Sequence, residues 1–198
     1  MLKALPRRRL VAALAAGATL QAATVPRKAA AAGATDGGLS KMREHAEPRA
    51  LPDGLGFTDG DGRETRFEAF RGRALVVNFW ATWCPPCVAE MPALDRLHGM
   101  LAREGIEVLA LSSDRGGRAQ VEPFYARTGI RHLPIWLDPR GAAGRALGVR
   151  GLPTTLILDR RGLEVARLEG EAEWDHPQMV AALRRLTRTP APETNRNT

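Results

Sequence analysis

The order of hydrophobic and polar positions predicts a domain in which strands and helices alternate. Residues 74–80 are almost continuously apolar, which is typical of a strand buried on both faces of a sheet. Apolar residues then recur at steps of three and four from Val88 to Leu101, which predicts an amphipathic helix ending before Gly105. A second apolar run at 106–111 predicts the next strand.

The remaining pattern continues this alternation and closes with a hairpin and a helix. Gly and Asp residues at 59–62 predict an earlier hairpin between two short strands. Asp175 is a suitable N-cap for the last helix, which we expect to end at Leu186. These elements predict an α/β fold, a mixed central sheet with helices on both faces. Between the hairpin and the last helix we expect a helix near 118–127, a strand at 133–137, a short helix near 142–147, and strands at 154–158 and 163–168.

The first 34 residues have the pattern of an export signal. A basic stretch ends at Arg9, an apolar run of small residues spans 10–25, and Ala-rich sequence at 29–34 offers cleavage positions. The apolar run is shorter than the roughly 20 residues of a spanning helix, so a cleaved signal is favoured over an anchor formed by 10–25. We therefore expect a periplasmic or otherwise extracytoplasmic protein.

Charge and composition refine the domain boundaries. The formal net charge is +7, but the leader carries six bases and no acid, which leaves 23 bases and 22 acids in the rest. A nearly neutral domain gives no reason to expect nucleic acid binding. Residues 35–54 are rich in Gly, Pro and charge and predict a flexible tether. We expect the folded domain at 55–188 and a frayed tail at 189–198.

The chain has two cysteines, Cys84 and Cys87, placed where a predicted strand meets a predicted helix. Two thiols at this spacing suit a redox disulfide, a metal site or a structural staple. Zinc needs three or four ligands, and the four histidines have no ligand-like spacing with this pair. A staple across so short a loop removes little chain entropy. Redox exchange is favoured, with Cu(I) binding by the same two thiolates as the alternative.

The position of each cysteine predicts its role. Cys84 should lie at the helix N-terminus, where backbone N–H groups favour a thiolate, and act as the nucleophile. Cys87, one turn further in, would resolve the mixed disulfide. Pro85 and Pro86 lack N–H groups, so they leave the thiolate less stabilised and the disulfide relatively favoured. This composition predicts a reductant.

Two motifs carry a resemblance to a known family. Residues 77–87, followed by Glu90-Met91-Pro92, and the later block 148–155 are similar to the extracytoplasmic thioredoxin-like proteins of the TlpA/ResA/CcmG type, and most similar to TlpA. The resemblance covers about residues 50–187. It implies a thioredoxin fold with a central αβ insertion at 118–137 and an N-terminal hairpin.

The same resemblance implies a set of site residues. Pro153 matches the family's cis-proline, and Leu152 before it would offer backbone groups to an extended substrate. Trp83 would flank the disulfide, and together with Pro85 and Pro86 would complete the substrate-binding surface. Glu90 would accept or relay the proton of Cys87, unless it is an ordinary solvated helix residue. Asn78 stands where plain thioredoxin has a buried aspartate, which predicts a hydrogen-bonded core residue.

The resemblance also implies partners. Family members reduce disulfides of apocytochrome c or of oxidase copper-site proteins and are recharged by a membrane thiol electron donor. We expect a monomeric protein-disulfide reductase that needs no cofactor besides the Cys84–Cys87 disulfide.

Overall fold

The structure, a computed structural model, describes residues 36–188; the predicted leader and tail lie outside them. None of the helices in this range has the length and apolar character needed to cross a membrane. The helices are α1 (Pro85–Leu101), α2 (Arg118–Thr128), α3 (Ala142–Ala146) and α4 (Pro177–Leu186). The strands are β1 (Met42–Arg49), β2 (Gly56–Asp59), β3 (Glu64–Arg66), β4 (Ala74–Trp80), β5 (Ile106–Ser112), β6 (Trp136–Leu137), β7 (Thr154–Leu158) and β8 (Glu164–Glu169).

The strands form one mixed sheet in the order β1-β8-β7-β4-β5-β6-β2-β3. β4 lies inside it, parallel to β5 and antiparallel to β7. β2 and β3 form the hairpin that the Asp and Gly residues predict, and β6 pairs with both β5 and β2. The predicted α/β class with a mixed sheet is confirmed.

Both faces of β4 are buried, as its apolar sequence predicts. The face that carries Val76 and Trp80 packs in one core with α1, α2 and α4. The face that carries Val77 and Phe79 packs in a second core with α3 and a 3-10 turn at Phe67–Phe70. Each such side chain stabilises the fold by about 1.5–3 kcal/mol. The end of β4, where the cysteine motif begins, is therefore held from both sides of the sheet.

The prediction of a flexible tether at 35–54 is wrong. This segment contains β1, which pairs antiparallel with β8 at the edge of the sheet, with a register shift between Glu44 and Arg49. An edge strand is buried on little of its surface, so its sequence stays polar and gives no strong hydrophobic signal. Met42 and His45 are the partly buried positions of this strand.

Two element boundaries also differ from prediction. The strand expected at 133–137 is paired only at its last two residues, because Pro134 has no N–H and the amides of His132 and Leu133 donate to Asp95 Oδ1. The N-cap of α4 is His176, whose Nδ1 accepts a hydrogen bond from the Gln178 N–H at 3.3 Å. Asp175 instead accepts a bond from Arg96 Nε at 2.6 Å.

Candidate active site

Cys84 and Cys87 form a disulfide at the junction of β4 and α1, with their Cα atoms 5.3 Å apart. Cys84 is the N-cap of α1, and Cys87 lies within its first turn. Cys84 is 5% exposed, whereas Cys87 is completely buried. An incoming thiol or disulfide therefore reaches Cys84 first, which is the order that the predicted roles require.

The first turn of α1 offers few hydrogen-bond donors to a thiolate. Pro85 and Pro86 have no N–H, and the N–H of Val88 is bonded to the Cys84 carbonyl at 3.0 Å. The N–H of Cys87 is the amide of this turn that stays available to a thiolate on Cys84. Helix N-termini stabilise anions mainly through such free amides, so this helix stabilises a Cys84 thiolate weakly.

A groove of about 540 Å³ opens onto Cys84, and we call it the redox groove. Trp83, Pro85 and Pro86 line one side, and Trp83 is 67% exposed. The loop before β7, together with Gly144 and Arg145 of α3, forms another part of the wall. An exposed indole beside a sulfur atom gives a partner chain an apolar contact next to the reacting bond.

The loop before β7 presents backbone groups to the redox groove. The Leu152–Pro153 peptide bond is cis, as predicted for Pro153. Leu152 lines the groove, and within residues 36–188 its N–H and C=O have no hydrogen-bond partner. Unpaired main-chain groups beside a groove can bond to an extended peptide in the manner of an added strand.

Glu90 is buried on α1, one turn after Cys87. Its Oε1 accepts a bond from Asn78 Nδ2 at 2.8 Å. Its Oε2 accepts bonds from Trp174 Nε1 at 2.8 Å and from the Ala172 N–H at 3.1 Å. The reading of Glu90 as a solvated helix residue is therefore wrong.

Burial gives Glu90 an unusual proton affinity. Loss of solvation raises its pKa to about 7, and the bonds from Trp174, Asn78 and Ala172 offset this only in part. A carboxyl with a pKa near neutrality can both take up and release a proton at physiological pH.

Asn78 is completely buried on β4, as predicted, and links Glu90 to the neighbouring strand. Its Nδ2 donates both to Glu90 and to Thr155 Oγ1, the latter at 2.9 Å. Its Oδ1 is buried and has no partner among the described residues. The Nδ2 group of Asn78 therefore makes two hydrogen bonds, and its Oδ1 makes none with the described residues.

Asp114 holds the segment that leads into Cys84. It is completely buried, and its carboxylate accepts bonds from the Thr82 N–H, the Thr82 Oγ1 and Ser112 Oγ at 2.8–2.9 Å. Thr82 lies two residues before Cys84, so this carboxylate fixes the approach of the chain to the disulfide. The sequence does not reveal this role, because Asp114 lies 32 residues after Thr82 and belongs to no recognisable motif.

Asp114→Ala should lower the free energy of unfolding by roughly 2–4 kcal/mol, because one buried and two partly buried donors lose their acceptor. Urea denaturation of the oxidised protein measures this change. Asp61→Ala is the matched control: Asp61 is an exposed acid paired with Arg63 and Arg118, and its loss should cost at most about 1 kcal/mol. An Asp114→Ala variant as stable as the control would contradict the anchoring role.

Trp174 is buried in the core and donates a hydrogen bond to Glu90, a contact that the sequence does not predict. For the copper alternative, no group of three or more His, Cys, Asp or Glu residues in the range 36–188 could hold a metal ion. Among the described residues, no His, Asp or Glu joins the two thiols in such a group.

Comparison with known proteins gives consistent matches. The family model described as Redoxin matches residues 40–183. The thiol-disulfide oxidoreductase ResA of Geobacillus thermodenitrificans is 38% identical over 106 residues, which is 54% of this chain and 60% of that protein.

Two solved structures share the fold. A putative thiol:disulfide interchange protein DsbE from Chlorobium tepidum superimposes with a TM-score of 0.60 and 26% identity, over 69% of this chain and 97% of that one. The exposed lipoprotein thioredoxin Etrx1 of Streptococcus pneumoniae gives a TM-score of 0.56 and 26% identity, over 66% and 98%. The predicted thioredoxin fold and the resemblance to ResA- and CcmG-type proteins are confirmed, while the assignment to the TlpA subgroup stays a prediction.

Proposed function

Because the chain belongs to the Redoxin family, we propose that it is an exported thiol–disulfide oxidoreductase that reduces disulfides of other proteins. The observation that carries the proposal is the position of the disulfide: Cys84 caps α1 and opens onto the redox groove, while Cys87 is buried behind it. Relatives and structural neighbours named as thiol–disulfide oxidoreductases or interchange proteins support the same activity.

The proposed reaction has two exchange steps. In the reduced protein the Cys84 thiolate attacks one sulfur of a substrate disulfide, forming a mixed disulfide and releasing the other substrate sulfur as a thiolate. Cys87 then loses its proton and attacks Cys84 Sγ. The mixed disulfide breaks, the second substrate thiol leaves, and the Cys84–Cys87 disulfide forms. Two electrons pass to the substrate, and a membrane thiol donor would restore the reduced pair.

We propose that Glu90 serves the second step. Cys87 must become a thiolate inside a buried site, which desolvation opposes. The Glu90 carboxylate, one turn away and with a pKa of about 7, is the acceptor that we propose for the Cys87 proton. Cys87 and Glu90 together carry one negative charge before and after this transfer.

The location and the substrates belong to the same proposal. The leader pattern of residues 1–34 supports export, to the periplasm or an equivalent compartment. The named resemblance supports apocytochrome c or copper-site proteins of an oxidase as substrates. Leu152, Pro153, Trp83 and the two prolines would bind the substrate chain.

A redox titration tests the direction of electron flow. Equilibration of the full chain with thiol–disulfide buffers should give a midpoint potential more negative than about −200 mV, the range of reductants such as glutaredoxins and thioredoxin. Pro86→Ala restores an N–H beside Cys84 and should make the potential less negative. A wild-type value near the roughly −120 mV of strong oxidants would refute the reductase proposal.

A further inference from the structure

A cavity of about 840 Å³ lies beside the redox groove, and the function proposed above does not use it. Its walls are β1, the adjacent strand β8, and the end of α3 at Leu147. Arg150 lines both this cavity and the redox groove, so the two spaces are neighbours that share one side chain. We call it the basic cavity for the composition of its lining.

The lining is strongly cationic in a domain that is nearly neutral. The segment after residue 35 has 23 bases and 22 acids. The cavity by contrast has three more bases than acids among its lining residues. The bases are Lys41, Arg43, Arg49, Arg150 and Arg167, and the acids are Glu44 and Glu169.

Ion pairs among the described residues involve only one of these five cations, Arg167. Glu44 is bound to Arg185 outside the cavity, and Arg167 is bound to Glu164 at 2.8 Å. Arg43, Arg49 and Arg150 are exposed and form no ion pair with the described residues. Unpaired cations that line one concave space attract an external anion.

The strand register adds a second observation. Arg43 of β1 lies directly opposite Arg167 of β8 in the antiparallel ladder. Glu164 compensates the charge of Arg167 at 2.8 Å, whereas Arg43 has no acidic partner among the described residues. The guanidinium of Arg43 is therefore free to bond an external anion beside β8.

We propose, on the basis of the proposed function, that the basic cavity binds an acidic segment of the protein whose disulfide is reduced, a run of Asp or Glu residues close to the reacting cysteine. Lys41 lies just before the edge strand β1, and Arg43 and Arg49 lie on it, an arrangement that suits an extended chain more than a compact anion. Arginine forks bond carboxylates in two parallel bonds. Arg150 connects the site to Cys84, where the same chain would react.

The test compares three peptides that share one disulfide loop and differ in a flanking run of four Glu, Gln or Lys residues. Reduced full chain is mixed with each oxidised peptide at about 20 mM salt, where screening is weak, and quenched samples are analysed by mass spectrometry. The Glu peptide should react about tenfold faster than the Gln peptide, and the Lys peptide more slowly than either.

Two charge-matched double variants locate the effect. Arg43→Gln with Arg49→Gln should reduce the Glu-to-Gln rate ratio to about twofold and leave the rate with the Gln peptide unchanged. Arg66→Gln with Arg71→Gln removes two exposed arginines at and just after β3, the opposite edge of the sheet, and should keep the full ratio. Equal ratios in the two variants, or equal rates of the three peptides with the wild type, would overturn the proposal.

A binding measurement separates this proposal from the proposed function. If the wild type reduced none of the peptides, the reductase function would fail. Fluorescence anisotropy with a cysteine-free Glu peptide would still have to show weaker binding in the Arg43→Gln, Arg49→Gln variant. Unchanged peptide binding in this variant would refute the site. Tighter binding of the wild type to phosphatidylglycerol vesicles than to the Glu peptide, abolished in the same variant, would also refute it, because the cavity would then bind a lipid surface.

Discussion

Cys87→Ala is expected to accumulate mixed disulfides between Cys84 and its substrates, and to lose steady-state reductase activity by roughly 10³-fold or more. Cys84 remains at the mouth of the redox groove and can still attack. No second thiol is present to release the product, because the chain has two cysteines only. Non-reducing electrophoresis of the tagged variant, followed by mass spectrometry, measures the trapped species and identifies the partner proteins.

Cys84→Ala is the matched control for this trap. It leaves one thiol as well, but that thiol belongs to the fully buried Cys87. We expect no turnover and few mixed disulfides, since a substrate disulfide cannot reach the remaining sulfur. If Cys84→Ala trapped partners as efficiently as Cys87→Ala, the assignment of nucleophile and resolver would be wrong.

Glu90→Gln is expected to slow release of the mixed disulfide by about 10²-fold and to remove the pH dependence of this step near neutrality. Glutamine has the shape of the protonated acid but cannot take up the Cys87 proton. Stopped-flow measurement of the release step between pH 5.5 and 8.5 gives both results. Glu122→Gln changes an exposed acid of α2 and should leave rate and profile unaltered.

The same variant should change the pH dependence of stability. The pKa of Glu90 is raised from 4.5 in the unfolded chain to about 7 in the folded one, so the folded state holds the proton more tightly between these values. The stability that Glu90 provides is therefore complete below pH 4.5 and is lost as the pH rises through 7. The loss amounts to about 3 kcal/mol.

The glutamine of Glu90→Gln cannot ionise. As the pH rises from 4.5 to 8, the free energy of unfolding of this variant should therefore increase relative to that of the wild type. Denaturation at several pH values measures the difference. A difference that is constant over this range would show that Glu90 is not protonated near neutrality in the folded protein.

The sequence predicts the centre of the fold better than its edges. β4 and α1 have strong hydrophobic patterns because they are buried by packing, and both lie where the pattern places them. β1 is an exposed edge strand whose stability comes from backbone pairing with β8, which leaves no mark in side-chain hydrophobicity. For this reason the polar sequence of this segment predicts a tether rather than a strand.

The residues of the candidate active site also differ in how well the sequence predicts them. Cys84, Cys87, Glu90 and Pro153 occur in short motifs, and local spacing together with family resemblance is enough to find them. Trp174 and Asp114 act on these motifs from distant parts of the chain, through hydrogen bonds to Glu90 and to Thr82. Contacts of this kind depend on how the elements pack, and a single sequence does not contain that information in readable form.

The unpartnered Oδ1 of Asn78 has a consequence for how Glu90 can change its protonation state. The amide now directs its N–H groups at Glu90 and Thr155, which matches a carboxylate. After a half-turn of the amide, the same position would hold an oxygen, which accepts from a protonated Glu90 and from the Thr155 hydroxyl. The Oε1 atom of Glu90 would thus keep Asn78 as a hydrogen-bond partner in both charge states of the acid. An aspartate at position 78 would lack this reversible polarity and would place a second negative charge against Glu90.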